Sequence, residues 1–447
     1  MKRNASKVPE ESMIRKISLS AVAVSLFASL AAAEVNFDKG GFNIKDEIAK
    51  MDAAIPEPSQ EKGVFDWLLG RKAPAEWTIM VFGNGKNDLE PFLMKDLNEM
   101  ELVGSSAKLN IVVEAGRIDG YDTSDGDWKG VRRYLMTKDN DVKKVSSKVV
   151  EDLGMIDMGD YKNLAAFGKW AKEKYPAKKY MMIVWNHGSG WSKGGQRPVT
   201  KGISYDEQSG NHINTPQLGL ALKEMGKVDV YGSDACLMQM PEVDYEIKDY
   251  AEYIVGSEET EPGDGYTYNT FLTPVAANPA MGALELARTA VDAYSDHYQA
   301  QNAGSTQSVV RSASLIRLVT LTNEFTAAMT ASGDKALAKK ARDGAVKYAV
   351  AENKDLGDFV RLVLAETKSD GVKAKGQALL AFITSELVLH NRTNNDPGGY
   401  WNGPVDYSPS KGIAAYFPDG GLAAGYSDLQ WAKVSLWDEF VTWMNQP

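Results

Sequence analysis

The chain has 447 residues, 43% of them apolar and 25% charged, the composition of a soluble globular protein with room for one large domain or two ordinary ones. Its 60 Asp and Glu stand against 50 Lys and Arg, for a net charge of −10. No basic stripe with interleaved aromatics occurs, so nucleic acid is not an expected partner, and an acidic surface favours cationic ligands instead.

From Met13 the sequence reads Met-Ile-Arg15-Lys16, then an apolar stretch from Ile17 to Leu30, then Ala31-Ala32-Ala33. A basic start, an apolar centre and a small-residue cleavage site are the order of a secretory signal, and the stretch is short for a membrane span. The mature protein is therefore expected to begin near Glu34 and to be exported (periplasmic, cell-surface or secreted), with no membrane association after signal removal. Residues 1–12 read as an upstream extension, so 1–33 is extension plus signal. Residues 34–74 read as a leader or linker, with the character of a propeptide, ending in Arg71-Lys72-Ala-Pro74.

Core-like sequence begins with Trp77-Thr-Ile-Met-Val-Phe82, an apolar run with the length of a buried strand. Leu89, Phe92, Leu93, Leu97 and Met100 follow at helical spacing, and Leu109 to Val113 reads as a second strand. After an Asp- and Gly-rich excursion over 117–129 and a hairpin-like run from Val131 to Met136, strands and helices alternate. The helices are Leu164 to Lys174, Pro216 to Met225 and Met240 to Tyr250; the strands are Lys179 to Trp185, Val228 to Tyr231 and Tyr253 to Gly256. That alternation predicts a mostly parallel sheet covered by helices on both faces. From Pro279 the chain turns Ala-rich, with helical stretches expected near 281–300, 315–331, 334–352 and 371–389. A returning strand at Gly412 to Phe417 and a closing helix from Leu429 to Met444 complete it. The expected division is an α/β domain over 75–278 and a helical subdomain over 279–447.

One cysteine in a chain read as exported cannot form an internal disulfide. Cys236 ends the run Val228-Asp-Val-Tyr-Gly-Ser-Asp-Ala-Cys236, and His187-Gly188 ends the run Tyr180-Met-Met-Ile-Val-Trp-Asn-His187-Gly188. Reactive groups collect beyond the carboxyl ends of parallel strands, so the two make a nucleophile and a proton-transfer partner. The alternative is a small buried apolar filler at 236.

Further blocks join these two. Trp77-Thr-Ile-Met-Val with Asn87-Asp88-Leu89-Glu90, Tyr175-Pro176-Ala177 with Asn186-His187-Gly188-Ser189-Gly190-Trp191, Asp234-Ala-Cys-Leu-Met238, Ser257-Glu258-Glu259 with Pro262-Gly263-Asp264-Gly265-Tyr266, and Gly412 to Pro418 occur in this order. Together they resemble the clostripain family of cysteine peptidases, within the wider group of caspase-like fold. The resemblance implies a caspase-like α/β/α sandwich in the α/β domain and endopeptidase activity through a Cys236–His187 dyad. It implies an oxyanion hole from the backbone N–H groups of Gly188 and Cys236, and an acidic S1 pocket at Asp234 and Asp264 for Arg or Lys at P1 of protein and peptide substrates. It also implies autoprocessing in the loop Trp191 to Lys201, where the Lys201–Gly202 bond is the favoured cut; loss of residues 34–72 after Arg71 or Lys72 is a companion expectation. No cofactor is required. Calcium is a further option, with Asp122, Asp125 and Asp127 clustered on one loop, but their spacing is not that of an EF-hand. Two departures stand out: Lys86 where the family has an acidic or polar residue, read as a surface turn, and Tyr266 in place of tryptophan. His212, His297 and His390 are expected in surface or capping roles, since no zinc spacing occurs. Other readings stay open: a catalytically silent binding protein on the same scaffold, or a peptidase with another P1 preference.

Overall fold

The computed structural model describes residues 74–191, 202–398 and 403–447. Residues 74–447 form one compact unit. The signal, the leader and Lys201 lie outside the described residues.

A nine-stranded sheet organises the unit, in the order β12-β10-β9-β8-β5-β1-β2-β3-β4. Its centre is five parallel strands: β1 (Ala75–Gly85), β2 (Leu109–Arg117), β5 (Ala177–Trp185), β8 (Val228–Asp234) and β9 (Ala251–Gly256). On one side β3 (Gly130–Leu135) and β4 (Val149–Gly154) add antiparallel, and on the other β10 (Ser305–Arg311) and β12 (Val388–Asn394) do the same.

The apolar runs are continuous because both sheet faces are covered. Successive side chains of a strand alternate between faces. In β1, Trp77, Ile79 and Val81 enter one core while Met80 and Phe82 enter the other; in β5, Met181, Ile183 and Trp185 separate from Met182 and Val184 in the same way. The first core is closed by α1 (Glu90–Val103), α5 (Tyr268–Ala277) and α6 (Ala283–Ala300). The opposite face carries α2 (Tyr161–Lys174), α3 (Thr215–Met225), α4 (Pro241–Ile247), α7 (Leu315–Ser332), α8 (Lys335–Gly344), α9 (Leu356–Glu366), α10 (Asp370–Phe382), α11 (Gln430–Val434) and α12 (Trp437–Asn445). Helix starts follow local chemistry. Asn214 and Gln217 form a capping box on α3, and Asp160 accepts from the Lys162 N–H at the start of α2. The α/β/α sandwich with a mostly parallel sheet matches the expectation.

The region after 279 is not purely helical. β10 and β12 join the main sheet, so the sheet crosses the expected boundary at 278/279. Both strands are rich in polar residues and show no apolar period; the fold supplies partners to several of them. Ser308 Oγ donates to the Gly412 carbonyl, and Arg392 pairs with Asp292 and Asp296. The helix expected over 334–352 ends at Gly344, and that over 371–389 ends at Phe382 in a π turn leading into β12. The returning strand is β13 (Ala414–Tyr416), which pairs with β11 (Asn353–Asp355) in a separate two-stranded sheet. A third small sheet joins β6 (Ile203–Asp206) to β7 (Asn211–Ile213). The closing helix is two helices divided at Ser435, whose Oγ donates to the Trp431 carbonyl.

Candidate active site

Four consecutive parallel strands, β9, β8, β5 and β1, present their carboxyl ends along one edge of the sheet. The segments leaving them carry Glu261, Cys236, His187 and Asp88, in that spatial order. Register makes the central pair neighbours: Trp185 lies opposite Asp234, and His187 and Cys236 each stand two residues further on.

The turn after β8 is held from several sides. The Leu237 N–H donates to the Glu259 carbonyl (3.1 Å), that of Gln239 to Ser257 (3.0 Å), and that of Ala414 to the Gln239 carbonyl (3.0 Å). Leu237 itself sits at φ 66°, a left-handed conformation costly for a branched side chain. The packing tolerates it because Leu237 is buried in the core. The Cys236 sulfur accepts from the Glu261 N–H (3.2 Å) and faces the Glu261 carbonyl (3.9 Å). Burial of the thiol, then the negative charge of Glu261 and Glu259, pushes its pKa up to about 12, so it rests as a neutral thiol.

His187 is partly exposed, and its Nε2 lies 2.7 Å from Asp88 Oδ1. Gly188 abuts the Cys236 backbone. A Cβ at 188 would come within 2.4 Å of the Cys236 carbonyl oxygen and 3.1 Å of its nitrogen, so only glycine lets the two chains meet this closely. The neighbouring Asn186 ties the edge together: its Nδ2 donates to the Asn84 carbonyl, and its Oδ1 accepts from the Tyr205 N–H.

Beneath Cys236, Asp234 is buried. It accepts from the Tyr266 N–H (3.0 Å) and the Tyr268 hydroxyl (2.8 Å), and its carboxyl meets that of Glu261. Gly265, at φ 56°, packs on it so closely that a Cβ would stand 2.7 Å from Asp234 Oδ1. Burial pushes the Asp234 pKa up to about 7, and burial together with the Asp234 charge holds Glu261 well above the usual carboxylate range. Among the described residues, Gln307 Oε1 and the Tyr294 hydroxyl are buried without hydrogen-bond partners. Asp264 is placed differently. It pairs with Lys95 (2.8 Å) and His297 (3.1 Å) and accepts from Gln301, which brings its pKa down to about 2. The structure joins Asp234 to the thiol's surroundings and turns Asp264 toward Lys95 of α1 and His297 of α6.

Lys86 is not at a surface turn. It is buried, pairs with Asp206 (2.8 Å) and donates to the Ile156 carbonyl (2.7 Å). Asp206 lies 120 residues away, beyond the reach of a local reading. Tyr266 is buried and its hydroxyl donates to the Ser233 carbonyl. The three loop aspartates have separate contacts: Asp122 accepts from Ser124, Asp125 from the Val145 N–H, and Asp127 from Lys129. Among the described residues no group of three His, Cys, Asp or Glu could hold a metal ion. His212 stacks on Tyr205, and His297 bridges Asp264 and Gln301. His390 lies in strand β12 rather than at a helix end, and pairs with Asp292. Glu261 and Asp88 were missed by sequence reasoning as site residues. Asp88 sits inside a quoted block and Glu261 between two halves of another, yet only strand order brings each beside its partner.

A family model described as the clostripain family matches residues 81–393. Clostripain of Hathewaya histolytica is 25% identical over 224 residues, covering 45% of this chain and 42% of that protein, so the chain spans about two fifths of that relative's length. A secreted C11 cysteine protease from Bacteroides thetaiotaomicron, solved with an irreversible peptide inhibitor, superposes with a TM-score of 0.60 at 22% identity, over 81% of this chain and all of that one. An inactive zymogen C11 protease from Parabacteroides distasonis gives 0.60 at 17% identity, over 81% and 99%. At these identities the two structures speak for the fold, whereas the family match extends over most of the chain. The chain belongs to the clostripain family of cysteine peptidases.

Proposed function

We propose that the protein is an exported cysteine endopeptidase that cleaves after Arg or Lys, with Cys236 as nucleophile and His187 as its proton-transfer partner. The observation that carries this reading is the close approach of Gly188 to the Cys236 backbone at the ends of neighbouring parallel strands. His187 takes the thiol proton as sulfur attacks the scissile carbonyl carbon, and returns it to the leaving amine as the C–N bond breaks. Water then attacks the thioester, with His187 accepting its proton; the C–S bond breaks, the acid product leaves and the proton returns to the Cys236 sulfur. Negative charge on the carbonyl oxygen is met by the N–H groups of Gly188 and Cys236.

The P1 preference rests on Asp234, since Lys95 and His297 already engage Asp264. A cationic side chain reaching the Asp234–Glu261 pair stabilises its ionised form. Because the free Asp234 pKa is raised to about 7, KM for Arg reporters is expected to fall as pH rises through that value. Asp234→Ala is expected to lose the preference for Arg and Lys. Equal wild-type turnover of Ala- or Asn-terminated reporters would contradict the specificity.

Maturation by self-cleavage in the Trp191 to Lys201 loop, at Lys201–Gly202, is part of the proposal, since Lys201 offers the basic P1 residue that this specificity requires. N-terminal sequencing should find a fragment beginning at Gly202 in the wild type and none in Cys236→Ala. A fully active single chain would refute the processing step, and a fully active Cys236→Ala variant the whole reading.

A further inference from the structure

We propose that Asp88 is a positioning residue for His187, holding its imidazole in the tautomer and orientation that present Nδ1 to the thiol. The inference rests on the reading of His187 as the proton-transfer residue. Asp88 Oδ1 stands 2.7 Å from His187 Nε2. A carboxylate there accepts the Nε2–H of a neutral ring, which leaves the lone pair on Nδ1 free to take a proton. The contact is built across the sheet, because Asp88 follows β1 and His187 follows the adjacent β5, 99 residues apart in sequence.

The segment carrying Asp88 is fixed more firmly than an exposed turn requires. Asn84 Oδ1 accepts from the Lys86 N–H (3.0 Å). Lys86 forms its buried pair with Asp206, and Asn87 accepts from the Leu89 N–H (3.0 Å) while donating to the Tyr205 carbonyl (2.8 Å). Asn84 and Asn186 are linked as well, so the β1 and β5 ends are tied immediately behind the two side chains. Asp88 and His187 themselves keep 58% and 43% of their side-chain surface. A pair this exposed adds little to stability. Orientation of the ring is the role left for so short a contact on so rigid a frame.

The test measures kcat and KM of the matured enzyme for Asp88→Ala, Asp88→Asn, Asp88→Glu, His187→Ala and the double variant Asp88→Ala/His187→Ala. Thermal melting and the ¹⁵N–¹H signature of the His187 ring accompany the kinetics. Asp88→Ala is expected to lower kcat on the order of 10- to 100-fold, the usual cost of removing a carboxylate that orients a functional imidazole, with KM and melting temperature unchanged. The ring should then lose its single Nε2–H tautomer, while Asp88→Glu restores part of kcat and Asp88→Asn falls between. In the His187→Ala background, Asp88→Ala should add no further loss. An Asp88→Ala enzyme with wild-type kcat, or one whose kcat falls only with its melting temperature and with no change in tautomer, would overturn the inference. Undiminished activity of His187→Ala would instead overturn the reading on which it rests.

Discussion

The Glu261 N–H donates to the Cys236 sulfur at 3.2 Å, joining the segment after β9 to the residue at the end of β8. The same residue turns its carboxyl to Asp234, so one residue touches both the thiol and the acid beneath it. Thiol chemistry and pocket charge are thereby linked through a single loop.

A thiol with a pKa of about 12 carries almost no thiolate at neutral pH. Alkylation of Cys236 by iodoacetamide in the uncut chain is expected to be slower than that of free cysteine. Its rate should rise about tenfold per pH unit from 7 to 10, without a plateau. A plateau below pH 8 would show that the thiolate is already formed.

Gly188→Ala places a methyl group 2.4 Å from the Cys236 carbonyl oxygen, and backbone must move to admit it. That movement displaces the two amides that the proposal places in the oxyanion hole. Loss of one oxyanion donor typically costs about 10²- to 10³-fold in kcat. A fall of that order is expected, with KM little changed and the fold retained. A Gly188→Ala enzyme within about twofold of wild type would remove Gly188 from the proposed oxyanion hole.

Glu242, at the start of α4, is buried and accepts from the Tyr416 N–H (3.1 Å) and the Tyr426 hydroxyl (3.0 Å). Burial pushes its pKa up to about 7, from an ordinary 4.5. A carboxyl whose folded pKa is raised contributes stability that is complete below the unfolded value and is lost as pH rises through the folded one. Gln keeps the acceptor and does not titrate. The stability of Glu242→Gln relative to wild type is therefore expected to improve between pH 5 and 8, by up to about 3 kcal/mol. A difference independent of pH in denaturant titrations would refute the assignment of that raised pKa.

The central strands were legible because burial on both faces demands unbroken apolar runs, as in Trp77 to Phe82 and Tyr180 to Trp185. His187, Gly188 and Cys236 were legible for a related reason: each directly follows such a run, and parallel strands bring their carboxyl ends to one edge. β10 and β12 were not, since polar side chains on these outer strands find partners in Gly412, Asp292 and Asp296 and need no apolar period.

Lys86, Asp88 and Glu261 mark where local sequence stops. A charge next to a strand end reads as solvated until strand order supplies its partner, and Asp206, His187 and Cys236 are 120, 99 and 25 residues away along the chain. The sequence by itself determined the family, the sheet's central strands and the residue types at the edge, because these follow from periodicity and short motifs. Only the tertiary structure decided that Asp264 turns to Lys95 while Asp234 and Glu261 share the ground under the thiol. Burial and pairing depend on which strands become neighbours, and no spacing along one chain specifies that.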